Sequence, residues 1–491
     1  MANKNPFFPG FHRVLFGRPP VSERDKMGRE HGRVERLCLD QLGALFGTFL
    51  PVSLLAFKSL SGDNSRRRIY TPTVTFWGFL SQVLVPGSSC RKAVSKIQTL
   101  FAIRGMPLPS SGTKAYCDAR RRLPVRLLHR VVTHISERLC AGVAGDPEQG
   151  GRTLVVDGSC FSMPDTPENQ AKYPQHRQKP GCGFPIMKVV GLFCLESGAW
   201  IATAKSYFRV HESRLFARLI GRLRRGDTLV TDRGFCSYWA VSALMSRGVD
   251  FVMRNNQMRK VDFRKGKRLG KRDHLITWHK PRHRASWMSK ADYDAMPEQI
   301  TLRETRLPAP EKKGFRTDTI TVVSSFTTVK EKSVEELAEY FARRWRVELY
   351  FDDTKTSGAM DVLRTKSPEL ICRELLMHMI AYNLVRAAAM AGGATAKAKG
   401  SQAALDRVSY KGTADRIATW STVIWSTPNR RKAAEMVAHM HETIGEDLVP
   451  ERPGRREPRV VKRRPKNYQL MTKPRGEMME IQHRNVYRKP A

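Results

Sequence analysis

Three acids carry the chemistry that this 491-residue sequence suggests. Asp157 closes the strand-like VVDG, Asp232 closes LVTDRGF, and Glu348 lies in the helix-patterned FARRWRVELYFDDTK of residues 341–355. Singly, each aspartate reads as an Asx turn, or as the N-cap of a following helix. In a sheet of ribonuclease-H topology, however, their two strands are neighbours, and a helix packed across the sheet brings Glu348 as a third acid. Converging carboxylates repel one another unless a cation sits among them, and such oxygen ligands suit Mg²⁺ or Mn²⁺. Two ions ~3.5–4 Å apart can activate an attacking hydroxyl and stabilise the leaving oxygen of an in-line phosphoryl displacement. Arg344 and Lys355 lie near whole helical turns from Glu348, so on one helix the three form a stripe. As a solvated charge ladder such pairs contribute only about 0.3–0.5 kcal/mol each; beside a metal site they would clamp a phosphate. Asp352 follows Glu348 by one turn and is the alternative third acid, with a shorter reach.

The charge balance names the class of partner. Lys+Arg number 86 against 46 Asp+Glu, a formal net charge of +40 with a pI near 10.4. Such an excess repels itself unless it meets a polyanion, and nucleic acid leads. The longest apolar run, residues 42–57, is shorter than the ~20 residues a spanning helix needs, and Pro51 interrupts it. No membrane span is expected, and residues 1–30 lack the apolar stretch of a signal peptide. The nine cysteines include no CxxC pair, which leaves zinc ribbons and thioredoxin chemistry without support and fits reduced thiols in a cytosol.

The elements that must position the acids follow from periodicity and turn residues. Residues 1–30 read as a basic arm and 31–149 as a helical domain. Within the latter, the basic segment 113–122 is the candidate for a helix that contacts DNA. From residue 150 the pattern becomes strand-strand-strand-helix-strand-helix-strand. Residues 256–330 then form a β-rich insertion, with strands near 275–279, 300–307 and 318–326. Ser333 and Glu336 of SVEE have capping-box spacing, and one helix is expected from there through Glu348. A long helix over 369–390 carries AYNLVR, helices recur over 412–446, and a Pro- and Arg-rich basic tail covers 451–491.

VVDG, TDRGF and RRWRVE together resemble the bacterial insertion-sequence DDE transposases, and more narrowly their insertion-sequence-four branch. AYNLVR matches the helix after that branch's catalytic glutamate, so the resemblance spans roughly residues 150–390. It implies an α/β fold: a ribonuclease-H-like catalytic core over 150–390 with the β-rich insertion, a helical N-terminal DNA-binding domain, and a helical C-terminal region over 391–450 that could dimerise. It implies Asp157, Asp232 and Glu348 as catalytic and metal-binding residues, with Mg²⁺ or Mn²⁺, two ions in all. The reaction would be cleavage at transposon ends followed by strand transfer into target DNA, by a homodimer at the nucleoid of a bacterial cytoplasm. A silent DNA-binding inhibitor and a nuclease of the same fold are the alternatives. The branch's tyrosine–arginine–glutamate–lysine signature is matched by Arg344, Glu348 and Lys355, but Phe341 stands at the tyrosine position. Tyr340, its neighbour, lies about 100° off the stripe and is the substitute for phosphate contact. The basic run from Arg254 through Arg259, Arg264 and Lys267 to Arg272 would grip DNA backbone. Trp278 and Trp287 would either stack a flipped base, as transposases of this branch can, or pack in the insertion's core.

Overall fold

The computed structural model describes residues 23–55, 69–103, 105–143, 151–174, 184–308, 319–400, 407–427 and 429–450. Most of the basic arm expected over 1–30, and all of the basic tail expected over 451–491, lie outside the described residues. The chain divides into two compact units. One comprises Met1–Gln82, Ser88–Pro124 and Ser421–Val437; the other comprises Val83–Gly87, Val125–Trp420 and Ala438–Ala491.

The first unit is helical, with α1 (Glu23–Phe46), α2 (Val52–Leu55), α3 (Pro72–Val83), α4 (Cys90–Ile103) and α5 (Lys114–Arg122). Helix α3 is apolar all round and is buried accordingly. Trp77 on it meets Trp425 with ring centroids 5.2 Å apart, and Trp425 Nε1 donates to the Gln41 carbonyl at 3.1 Å. A C-terminal segment thus completes an N-terminal core. Helix α5 falls where the basic DNA-contact segment was expected. It buries one of its arginines: Arg120 packs over the Phe79 and Tyr116 rings, 4.9 and 5.1 Å from their centroids. Lys114 and Arg121 stay exposed.

The second unit opens with α6 (Val125–Ala141) and holds a nine-stranded sheet. Its strands and helices in chain order are β1 (Thr153–Ser162), α7 (Pro167–Lys172), β2 (Ile186–Cys194), β3 (Trp200–Tyr207), α8 (Glu212–Ala217), β4 (Thr228–Thr231), α9 (Tyr238–Met245), β5 (Asp250–Arg254), β6 (Lys267–Gly270), β7 (Asp273–His279), α10 (Lys290–Asp294), β8 (Gln299–Pro308) and β9 (Thr319–Ser324). The spatial order is β3-β2-β1-β4-β5-β9-β8-β7-β6. Strands β1, β2 and β3 form an antiparallel meander, while β1, β4 and β5 are parallel. Helices α8 and α9 lie in the connections that parallel pairing requires. Central β4 is buried at every position, as a covered parallel strand should be. The strands of the expected insertion do not form a separate sheet. β9 pairs with β5, so β9, β8, β7 and β6 extend the same one.

After the sheet come α11 (Val334–Arg343), α12 (Arg346–Asp352), α13 (Pro368–Ala398), α14 (Tyr410–Ser426) and α15 (Arg430–Glu446). The capping box at Ser333 and Glu336 forms with both reciprocal bonds. The single helix expected from there through Glu348 does not. It breaks at Arg344 and Trp345, where Val347 N–H donates to Arg344 O and Glu348 N–H to Trp345 O, bonds of the tighter three-residue kind. Lys355 then falls in a wider π-type turn, Asp353–Ser357.

Among the described residues only α13 is long and apolar enough to cross a membrane, and 83% of its most apolar stretch is buried within the protein. It is a core helix, and its AYNLVR segment clamps the β2–β3 turn. Asn383 accepts the Trp200 N–H at 2.8 Å and donates to the Trp200 carbonyl at 3.0 Å. Tyr382 donates to Gly198 O, and Arg386 donates twice to Ser197 O. Gly198 has φ of 71°, and a Cβ there would stand 2.8 Å from Arg386 Nε. Replacing Asn383 by alanine leaves a buried N–H and a buried carbonyl unmet. The expected loss is about 2–4 kcal/mol, read as a lower midpoint in thermal or urea unfolding; an unchanged midpoint would show that the turn holds without the clamp.

Candidate active site

Strand register brings the two aspartates together. β1 and β4 pair in parallel through Val156 and Thr231, and the next residue on each is Asp157 and Asp232. Neighbouring strands run ~4.8 Å apart, so the carboxylates leave the sheet side by side. β4 ends there, whereas β1 continues to Ser162 against β2. The aspartates therefore sit where the β4 side of β1 opens, at the carboxyl ends of parallel strands, a usual place for ligands in such sheets.

Their environments differ. Asp157 accepts the Gly158 N–H at 2.7 Å. Burial pushes its carboxyl up to about 6, and the negative charges of Glu212 and Asp232 push the same way against the Gly158 hydrogen bond and the Arg344 guanidinium. Asp232 Oδ1 is buried without a hydrogen-bond partner. Arg254 Nη1, at the end of β5, stands 3.7 Å from it. A buried carboxylate oxygen with no donor is costly unless a cation completes it, and the donor set is the hard-oxygen kind that Mg²⁺ and Mn²⁺ take.

The third acid is close but turned elsewhere. Phe351 on α12 packs edge-on against Phe193 and Trp200, at 5.2 and 5.9 Å between centroids, and Tyr350 donates to Leu195 O at 2.9 Å. Room for this comes from Gly191, the cross-strand partner of Asp157, where a Cβ would stand 3.2 Å from the Phe351 ring. Glu348 is 54% exposed and reaches the Arg344 guanidinium at 3.6 Å. Among the described residues no three His, Cys, Asp or Glu side chains are grouped tightly enough to hold a metal ion. Asp352 is exposed and accepts the Thr356 hydroxyl at 2.6 Å.

The expected stripe is only partly kept. Arg344 is buried, stacks 4.3 Å over Trp345, and has an Nε without a hydrogen-bond partner. Lys355 leaves the stripe because of the π-type turn, and its Nζ lies 5.2 Å over the Phe161 ring of β1. Phe341 is buried, with the Arg344 guanidinium 5.8 Å from its ring. Tyr340 lies under the Lys332 ammonium, 5.2 Å from its ring centroid. Trp278 is a core residue: it is buried, donates to Glu304 at 3.2 Å, and is covered by Arg259 at 3.6 Å, which leaves no face for a base. Trp287 is half-buried, edge-on to Trp239 at 5.1 Å, and lines a cavity of 530 Å³ with Arg214, Arg218 and Arg247. Of the expected DNA-gripping run, Arg264, Lys265, Lys267, Arg268, Lys271 and Arg272 are exposed.

Residues 148–384 match the family described as Transposase DDE domain. Just under half of the chain thus resembles a transposase DDE domain. The matched stretch encloses Asp157, Asp232, Glu348 and the inserted strands. The chain is also similar to the transposase InsG for insertion sequence element IS4 of Escherichia coli (strain K12), 27% identical over 283 residues. That match covers 57% of this chain and 61% of the relative, so the chain spans less than two thirds of the protein it matches. A solved piggyBac transposase synaptic complex with hairpin DNA aligns over 86% of each chain at 12% identity and a TM-score of 0.38, too distant to extend to details.

The Asp157 shift fixes the sign of a pH effect. An unfolded aspartate titrates near ~3.9, below the folded value of about 6. The native state therefore holds more protons between those values, and stability falls as pH rises through that window. Asp157→Asn should stabilise the metal-free protein at pH 7, by up to about 3 kcal/mol at ~1.36 kcal/mol per unit, and flatten the decline of its melting midpoint from pH 4 to 6. Melts of both proteins across that range check this; parallel curves would refute it.

Proposed function

We propose that the chain is a DNA transposase whose ribonuclease-H-like core cleaves transposon ends and joins them to target DNA. The observation that supports this best is Asp157 beside Asp232 where the parallel pairing of β1 and β4 stops, with a buried Asp232 oxygen that accepts no hydrogen bond, inside the stretch that matches the transposase DDE domain. Asp157 and Asp232 would hold a divalent cation, and Glu348 would join them on leaving Arg344. Bound there, Mg²⁺ or Mn²⁺, as two ions, supplies activation of the attacking hydroxyl and stabilisation of the leaving oxygen. Arg344 then has both its buried Nε and its released terminal nitrogens for a DNA phosphate. Lys355, on the π-type turn beside β1, adds a second cation.

Double-stranded DNA is the polyanion that we assign to a net charge of +40. In this reading the exposed cations around β6 follow the DNA backbone, and Lys114 and Arg121 of the helical domain expected over 31–149 approach the transposon end. Trp287, open to an arginine-lined cavity, is the aromatic placed to receive a flipped base. A homodimer holds the two ends together, with the helices of 391–450 as its contact, at the nucleoid of a bacterial cytoplasm.

One observation favours a second reading, a silent DNA-binding inhibitor: Glu348 is paired with Arg344 rather than with the aspartates. Incubation with DNA bearing the element's terminal repeats and Mg²⁺ separates the two. Cleavage and joining by the wild type, with both lost below background in Asp232→Ala, is the expected outcome. Equal cleavage by both proteins would end the metal-site reading. Binding without cleavage by the wild type would favour the inhibitor, and cleavage without joining a nuclease.

A further inference from the structure

A fourth carboxylate reaches the site from an element that the triad does not use. Glu212 opens α8, directly after β3, where His211 caps the helix by accepting the Ser213 N–H. Its carboxylate lies against the backbone of Gly158, the residue after Asp157. A Cβ at Gly158 would run into Glu212 Oε1 and stand 2.6 Å from its Cδ and 3.1 Å from Oε2. The same carboxylate lies 3.9 Å from the Cβ position of Gly234, two residues after Asp232. Gly158 thus leaves the space that Glu212 fills, and the turn after Asp232 lies beside it.

A purely structural acid in a half-buried place is normally held by a cation or by donors. Among the described residues no hydrogen bond or ion pair holds the Glu212 carboxylate, and its charge bears on Asp157, which is itself crowded by Asp232. Three acids surround one opening, where the Arg254 guanidinium stands 3.7 Å from Asp232 Oδ1 and Arg344 offsets part of the charge on Asp157. A cation bound there would relieve the remaining repulsion.

We propose that Glu212 is a positioning residue of the catalytic site, a fourth carboxylate that strengthens divalent-cation binding by Asp157 and Asp232. The inference rests on the metal-dependent reading above. The test is a Mn²⁺ titration of the full chain by electron paramagnetic resonance, with melting measured in parallel without metal. Glu212→Gln keeps the shape and removes the charge. It should weaken Mn²⁺ binding by about 10–100-fold, the range for groups that act through metal ligands, and leave the metal-free melting midpoint unchanged or higher. Gly158→Ala should push the carboxylate outward and weaken binding similarly, and the double variant should be no weaker than the worse single one. Unchanged Mn²⁺ affinity in Glu212→Gln, with binding lost in Asp232→Asn, would overturn this inference and leave the metal site standing. Absence of Mn²⁺ binding by the wild type would overturn both.

Discussion

Like-charge repulsion between neighbouring carboxylates is the constraint around which this fold is organised. Parallel register between β1 and β4 delivers Asp157 and Asp232 to the same edge of the sheet, and Glu212 adds a third charge. Nothing local favours that arrangement. It is held by buried strands on both sides, above all the fully buried β4. The strain is visible in Asp157, whose carboxyl keeps its proton well above the usual range, first through burial and then through its acidic neighbours. A site that destabilises the empty fold, and that the cation proposed above would relieve, is a familiar exchange of stability for function.

The scaffold that bears this repulsion is tied together by contacts remote in sequence. AYNLVR on α13 reads like an ordinary helical run, yet Tyr382, Asn383 and Arg386 all terminate on the backbone of the turn between β2 and β3. That turn supports Trp200 and Phe193, on which Phe351 rests, and Phe351 fixes α12 across β2 opposite Asp157. The inserted strands are held as firmly. Arg303 and Asp273 form a bidentate pair with side chains 0% and 2% exposed, with Thr305 donating to the same carboxylate. A rigid extension leaves the sheet edge to β6, whose exposed Lys267 and Arg268 discourage edge-to-edge pairing and suit a phosphate backbone.

The break between α11 and α12 gives the glutamate helix two independent segments. α11 is anchored by its capping box and by buried Leu337 and Phe341, whereas α12 is anchored by its aromatic face. Arg344 lies at the joint, buried against Trp345 and reaching Glu348. A buried guanidinium with an unsatisfied Nε is an unusual thing to keep at a helix joint, and in the proposed reading it is the group that exchanges Glu348 for a phosphate.

The sequence by itself determined the local chemistry. Short apolar runs marked the strands that lead into Asp157 and Asp232, although β1 continues past Asp157 to Ser162; the SVEE spacing marked the start of α11, and the excess of Lys and Arg marked a polyanionic partner. These rest on short-range rules of period, capping and charge, which a linear reading can apply. Tertiary structure alone decided the rest. Whether Trp278 is core or surface depends on Glu304 and Arg259, which approach it only once the inserted strands pair. Lys355 leaves the expected stripe because the helix widens to seat Thr354 in the core, a packing effect that no heptad count reveals. Glu212 escaped notice because it meets Asp157 only across the folded sheet, and the glycine that admits it, Gly158, reads in VVDG as an ordinary turn residue. A site built by bringing distant strand ends together is specified in three dimensions, because the repulsion among its charges exists only after the sheet has formed.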